Sequence, residues 1–159
     1  MFNDFPAQEF QVRHSLLRKF AEQLRVFRKN LLTDGLGFGW EIVEQLHTDS
    51  LAQFGGAAGL RDRGLVESAL GAAQNTFLYG GGDIYEIAAA YGFHIAEAQA
   101  FLDGNKRTAV AAALTFLRGN GGPRLIDNGS IYDAMIAIAE RRLNKAGLAQ
   151  VFRRLSEQA

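Results

Sequence analysis

Residues 99–109 read QAFLDGNKRTA, and this stretch decides the fold because it ends one apolar helix and begins the next. A tight Asp-Gly-Asn turn lies at its centre, and Lys106 and Arg107 fall in the first turn of the following helix. Cations are unfavourable there because the helix dipole prefers negative charge at its N-terminus. Their presence therefore suggests that an anion binds at this turn.

The turn also has the other groups that an anion site needs. Backbone N–H groups of a helix's first turn point toward a ligand, and Gly104 lets the backbone approach it closely. Lys106 and Arg107 add charge-assisted hydrogen bonds, and a guanidinium can hold two oxygens at once. Asp103 beside a phosphate would suit Mg²⁺, which usually takes one or two carboxylates together with phosphate oxygens. The plainer alternative is a capped, charged surface turn, which is a common local structure.

Helical periodicity extends in both directions from this turn. Apolar residues recur at spacings of three and four, and strand patterns are weak throughout. The pattern predicts a compact all-α bundle. Its helices are expected over 10–32, from Trp40 to Phe54, from Asp62 as N-cap, from Ile84, over Thr108–Arg118, from Ser130 as N-cap to Leu143, and across Leu148–Leu155.

Two short segments are the candidates for β structure, a hairpin or flap around Thr76–Ile84 and an extended piece at Pro123–Ile126. Residues 1–35 are expected to form an amphipathic helical extension, and residues 36–159 one compact domain. The extension carries a basic stripe. It is either the solvated back of a packed helix or a contact surface for a membrane or nucleic acid. It could pack on its own domain or on a second copy, as a homodimer.

Composition excludes several classes of protein. With 159 residues, 48% of them hydrophobic and 21% charged, the chain fits one soluble domain with a real core. Its net charge of +0 argues neither for nor against a nucleic-acid partner. The chain has no cysteine, which excludes a disulfide scaffold and a thiolate nucleophile. No secretory signal and no membrane-spanning apolar run is visible, so we expect a cytoplasmic protein without a membrane partner.

The segment Phe101–Ala109 resembles the core motif of the Fic/Doc (Fido) family, and of its Doc (death-on-curing) branch in particular. That branch reads His-Pro-Phe-x-Asp-(Gly/Ala)-Asn-Lys-Arg-Thr-Ala. The upstream stretch Phe54–Leu70 and the downstream stretch Leu117–Gly121 are also similar to the Doc pattern. The resemblance covers roughly residues 40–155.

Membership would imply a small all-α fold that transfers a phosphate-containing group from a nucleotide, usually ATP, to a hydroxyl of a target protein. Fic-branch members transfer the nucleotidyl group, whereas Doc toxins phosphorylate a translation factor. The resemblance assigns Mg²⁺ binding to Asp103 and anchoring of the loop to Phe101. Phosphate and cofactor contacts are expected from Gly104, Asn105, Lys106, Arg107 and Thr108, with Asn105 and Arg107 also in catalytic roles.

Two positions favour the Doc branch. Fic-branch members usually have Gly where this chain has Lys106, and a second Arg where it has Val110.

The chain also lacks the inhibitory Ser/Thr-x-x-x-Glu-(Gly/Asn) helix that many Fic proteins share. An active member of this kind would need an external antitoxin.

One departure from the motif concerns the chemistry itself. The family's motif begins with a His that removes the proton from the target hydroxyl, and here that position is Gln99. Gln has no usable pKa and cannot act as a general base. His94 and His47 are expected to be structural, and Glu97 to face outward. Three explanations stay open: a pseudoenzyme that binds a nucleotide or protein without turnover, a deliberately silenced toxin, and a chemistry that needs no His.

Overall fold

The structure is a computed structural model that describes residues 39–159. Within that range the chain folds into helices joined by short turns, and no strand is present. The predicted N-terminal extension lies outside the described residues. The helices are α1 Trp40–Phe54, α2 Arg63–Leu78, α3 Ile84–Ala98, α4 Asn105–Gly119, α5 Ser130–Ala139 and α6 Lys145–Glu157.

Helix α3 is the centre of the bundle, as its apolar circumference predicts. It packs most extensively on α4 and also contacts α2, α6 and α5. Small residues make this close packing possible: a Cβ added to Gly92 would lie 3.2 Å from Leu148 Cδ2 and 3.4 Å from Ala113 Cβ. The motif turn therefore joins the two helices that share the most contact, and its position is fixed by the core.

The boundaries of the first three helices follow from local signals. Gly55 ends α1 with a φ of 73°, a conformation that favours glycine. Asp62 caps α2, because its side chain accepts a hydrogen bond from the backbone N–H of Gly64. Asp83 and Glu86 form a reciprocal capping box at the start of α3. The Asp62 cap and the end of α1 are confirmed predictions.

Several predicted boundaries in the second half need correction. Helix α4 begins at Asn105 rather than Thr108. Ser130 is the first residue of α5 and not its cap; Gly129 is the N-cap, and the Asp127 carboxylate accepts hydrogen bonds from nearby backbone N–H groups. Leu143 lies beyond the end of α5, because the chain turns after Ala139.

The predicted β features are also not formed in the described range. Thr76 to Leu78 belong to α2, and the residues after them are a turn that leads directly to the capping box of α3. Pro123–Ile126 is irregular and pairs with no strand. One isolated antiparallel bridge joins Leu60 to Phe101. It brings the loop after α1 onto the motif turn. None of the helices in residues 39–159 is long and apolar enough to cross a membrane.

Candidate active site

Phe101 fixes the motif turn to the core. It is 2% exposed, and its ring stacks on the His47 imidazole with the two centroids 3.8 Å apart. The Trp40 ring also stacks on Phe101, with the two centroids 6.4 Å apart. The predicted role of Phe101 as the buried residue of the turn agrees with this packing. A buried aromatic side chain is a large apolar contribution to stability, so the turn is held firmly at this point.

The Asn105 side chain holds the two ends of the turn together. Its Oδ1 accepts from the Phe101 N–H at 2.9 Å, and its Nδ2 donates to the Phe101 carbonyl at 2.8 Å. Both hydrogen-bonding groups of the amide are therefore used on the chain's own backbone. The predicted phosphate contact of Asn105 can come from its backbone N–H, whereas its side chain shapes the turn.

The N-terminus of α4 opens at Gly104, which has a φ of 76°. Gly104 is the N-cap residue and has no side chain to cap this helix end. The first turn of a helix has N–H groups without partners inside the helix, and they carry the positive end of the dipole. The start of α4 therefore has the backbone arrangement that the sequence predicts for an anion site.

Arg107 lies across the gap between α4 and the end of α1. Its Nη2 donates to the Gly55 carbonyl at 3.1 Å and lies 3.7 Å from Asp103 Oδ1. The guanidinium also sits over the Phe54 ring, 5.7 Å from the centroid. The Arg107 side chain is only 10% exposed, and its buried Nε has no acceptor among residues 39–159. A buried guanidinium N–H with no acceptor is costly.

Asp103 is held from three sides. Its Oδ1 accepts from the Gly104 N–H at 2.7 Å, and its Oδ2 accepts from the Ala57 N–H at 3.2 Å. Its backbone carbonyl accepts from His47 Nε2 at 2.8 Å, so the proton of that imidazole is on Nε2. The Asp103 side chain remains 30% exposed. The structure thus brings Asp103, Gly104, Asn105 and Arg107 together in one turn.

The Lys106 and Thr108 side chains are buried. Lys106 is 7% exposed and Thr108 is fully buried. Contacts from these two side chains to a phosphate therefore stay a prediction. Gln99 is exposed and forms the C-cap of α3 in the left-handed conformation, with a φ of 49°. Its Nε2 donates to the Ala96 carbonyl at 2.9 Å, a bond within its own helix end.

The three residues considered as substitutes for a base have different surroundings. Burial lowers the pKa of His47, and the Arg107 guanidinium lowers it further, against the opposing effect of the hydrogen bond to Asp103. Burial is also the main cause that lowers the pKa of His94, whose ring lies edge-on to Phe93. Glu97 is exposed, as predicted.

Sequence reasoning missed two contributors to the site. It treated His47 as structural, which its burial supports, but did not place it on the backbone of Asp103. It treated Gly55 and Gly56 only as the end of a helix. The similarity of Phe54–Leu70 to the Doc pattern was the available signal that this loop belongs to the site.

Comparisons with known proteins agree with this geometry. The Fic/DOC family model matches residues 39–117. Protein kinase doc of Escherichia phage P1 is 33% identical over 111 residues, which cover 69% of this chain and 87% of that protein. Toxin Doc of Mycolicibacterium smegmatis is 43% identical over 82 residues, which cover 49% of this chain and 62% of that protein. The matched range contains α1 to most of α4, together with the whole motif turn, and the chain therefore belongs to the Fic/DOC family.

Proposed function

We propose that this chain is a Doc-like protein that binds a Mg²⁺–nucleotide, with ATP as the expected ligand, at the motif turn, and that Gln99 impairs transfer to a protein hydroxyl. The observation that carries the proposal is the convergence of the Arg107 guanidinium with the N-terminus of α4, where the N-cap residue is Gly104. Both offer N–H donors to one anion, and both lie beside the Asp103 carboxylate.

The phosphate contacts are assigned to the first turn of α4. The backbone N–H groups after Gly104 and the guanidinium of Arg107 would bind phosphate oxygens by charge-assisted hydrogen bonds. The unsatisfied Nε of Arg107 supports this assignment, because an anion is the partner that a buried guanidinium lacks. The low exposure of Arg107 would strengthen its attraction to phosphate, since less water screens the charges.

Asp103 is proposed as the Mg²⁺ ligand. Within residues 39–159 there is no group of three or more His, Cys, Asp or Glu side chains that could hold a metal ion. A single carboxylate fits Mg²⁺ nevertheless, because that ion is usually bound by one or two carboxylates plus phosphate oxygens and water. The ion would then arrive with the nucleotide, and it would neutralise phosphate charge during transfer.

The phosphoryl group is proposed as the group that an active form of this protein would transfer. The relative from phage P1 is named a protein kinase. Val110, where Fic-branch proteins usually have an Arg, is buried at 6% exposure and faces the core. This position therefore supports a Doc-like site and gives no second phosphate-binding Arg.

Gln99 is the reason to propose impaired chemistry. Its side chain lies at the position that resembles the family's general base, and a carboxamide cannot accept the hydroxyl proton. Loss of a general base typically lowers a rate by about 10²- to 10⁴-fold. An alternative function follows from the same observation: a non-catalytic nucleotide- or protein-binding module of a toxin–antitoxin-type system. An antitoxin is the proposed partner in either case, and a translation factor the proposed target of an active form.

Nucleotide binding can be tested directly by calorimetry. Wild-type protein is titrated with ATP, ADP and AMP in the presence of Mg²⁺, and ATP is expected to bind most tightly because it offers the most phosphate oxygens. ATP should bind more weakly in titrations without Mg²⁺. Absence of any binding at millimolar nucleotide would overturn the proposal.

Transfer is tested with the substitution Gln99→His. We expect the variant to arrest growth and to transfer label from γ-labelled ATP, with a rate about 10²- to 10⁴-fold above that of the wild type. Gln158→His, the same change at the exposed end of α6, is the matched control and should leave transfer unchanged. Label transfer from α-labelled ATP instead would indicate nucleotidylation. No transfer from either label would favour the non-catalytic module.

A further inference from the structure

The loop that follows α1 holds both charged groups of the motif turn at the same time. The Gly55 carbonyl accepts from Arg107 Nη2 at 3.1 Å, and the Ala57 N–H donates to Asp103 Oδ2 at 3.2 Å. These contacts join residues that are 52 and 46 positions apart in the chain. The backbone of this loop is therefore a partner of the site, although no side chain of the loop contributes.

Gly56 lies between these two contacts and is the point of closest approach. Its φ is +118°, a conformation that side chains rarely adopt. A Cβ at this position would lie 2.5 Å from Asp103 Oδ2 and 3.1 Å from Arg107 Nη2. The first distance is shorter than a carbon and an oxygen can tolerate, so any side chain here would displace the carboxylate.

We infer that Gly56 is a positioning residue of the proposed nucleotide site, since its missing side chain lets the loop fix the directions of Asp103 and Arg107 together. The inference rests on the proposed function for the identity of the ligand. The two loop contacts orient the Asp103 carboxylate and the Arg107 guanidinium before a ligand arrives. Outer partners of this kind keep a ligand-binding group in its productive orientation, and their loss typically weakens metal binding by about 10- to 100-fold.

The substitution Gly56→Ala tests this role. It should weaken binding of Mg²⁺–ATP by about 10- to 100-fold, as measured by calorimetry on folded protein. The loss of ATP affinity should be smaller when Mg²⁺ is absent. The reason is that the displaced group, the Asp103 carboxylate, is the one proposed to hold the ion. A merely structural role would lower thermal stability and would leave this dependence on Mg²⁺ unchanged.

Gly121→Ala is the matched control for backbone strain. Gly121 also has a positive φ, +78°, and nothing lies within 4 Å of the Cβ that the substitution would add. It follows the C-terminal end of α4, whereas the proposed site lies at the N-terminal end. Gly121→Ala should lower Tm through strain alone and leave the affinity for Mg²⁺–ATP unchanged.

A double-mutant cycle tests the contact without any nucleotide. Asp103→Ala removes the carboxylate that the new Cβ would meet, so Gly56→Ala should lower Tm less in the Asp103→Ala protein than in the wild type. An equal loss of Tm in both backgrounds would show that Gly56 does not position Asp103 and would overturn the inference. The cycle also decides the case if Gly56→Ala is too unstable for calorimetry.

The titrations separate this inference from the proposed function. If wild-type protein binds Mg²⁺–ATP and folded Gly56→Ala binds it equally well, the inference is wrong and the proposed function stands. If the wild type binds no nucleotide, the proposed function is wrong, and the nucleotide part of the inference falls with it. The expected result is tight binding by wild type and Gly121→Ala, and weak binding by Gly56→Ala.

Discussion

The two ends of the motif turn are held in different ways. At the Asp103–Arg107 end, hydrogen bonds reach to the loop after α1 and to His47, between 46 and 56 residues away in sequence. At the Gln99 end, the side chain is exposed, and its one hydrogen bond within residues 39–159 is to Ala96, three residues away in its own helix. The Asp103 and Arg107 side chains take part in tertiary contacts, whereas the Gln99 side chain makes a local contact at a helix terminus.

This difference places different structural constraints on the two ends of the turn. Replacing the exposed Gln99 side chain would break one local hydrogen bond, so the fold depends little on which side chain stands at this position. Changing the side chain of Asp103 or Arg107 would leave the Ala57 N–H or the Gly55 carbonyl, both in the loop after α1, without that hydrogen-bond partner. The Asp103 and Arg107 side chains are thus tied to the fold, whereas the Gln99 side chain is not.

The largest expected effect comes from removing the buried ring under the Asp103–Arg107 end. Phe101→Ala should lower the free energy of unfolding by about 3–5 kcal/mol, because it deletes a buried aromatic side chain and its stack on His47. Chemical denaturation measures the change. Leu102→Ala is the control, since Leu102 is 52% exposed and should cost much less. Equal losses from the two substitutions would show that the buried Phe101 ring does not anchor the turn.

The contact between His47 and the Asp103 carbonyl should contribute less. His47→Phe keeps a ring against Phe101 but removes the donor, and it should lower the free energy of unfolding by about 1–3 kcal/mol because the partly buried carbonyl loses its partner. His47→Gln retains an N–H donor and should recover part of the affinity for Mg²⁺–ATP that His47→Phe loses. If both variants bind the nucleotide like the wild type, His47 does not position the turn.

The same histidine predicts a pH dependence of stability. Burial lowers the pKa values of His47 and His94 in the folded protein from the usual 6.5. Below pH 6.5 the unfolded chain therefore binds more protons than the folded chain, and the free energy of unfolding falls as the pH drops toward the folded-state pKa values. Denaturation at several pH values should show full stability above 6.5 and a smaller fall for His47→Gln. If the free energy of unfolding falls equally in that variant, His47 is not a source of the pH dependence.

The smallest expected effect is at the Gln99 end. Gln99 has a φ of 49°, and a non-glycine residue in the left-handed region costs about 1–2 kcal/mol, so Gln99→Gly should raise the free energy of unfolding by about 1 kcal/mol. Gln158→Gly is the matched control, because that residue also caps a helix but has a φ of −94°. It should give no gain. A loss of stability in Gln99→Gly would mean that the Ala96 contact holds the turn.

The sequence predicted the bundle well because its helices obey local rules. Asp62 and Gly55 act where capping chemistry predicts, and α3 lies in the core as its apolar circumference indicates. Helix ends were missed where the signal was ambiguous: Ser130 and Gly129 are both plausible caps, and only the Asp127 contacts decide between them.

The site was predicted in part, through residues that are neighbours in sequence. Asp103, Gly104 and Arg107 lie in one turn, so their proximity follows from the motif itself. The contributions of His47 and of the loop at Gly56 depend on contacts between distant parts of the chain, which periodicity and capping rules do not contain. The burial of Lys106 and Thr108 likewise depends on how α4 packs, and the sequence alone did not predict it.

The most direct test of the central claim is the affinity of Mg²⁺–ATP for wild type, Arg107→Ala and Arg118→Ala. Both substitutions remove one positive charge from α4, but Arg118 is exposed at the opposite end of the helix. A charge-assisted hydrogen bond contributes about 1.5–3 kcal/mol, so Arg107→Ala should weaken binding by about 10- to 150-fold while Arg118→Ala binds like the wild type. Equal affinities of all three proteins, or no binding by the wild type, would contradict a phosphate site at this turn.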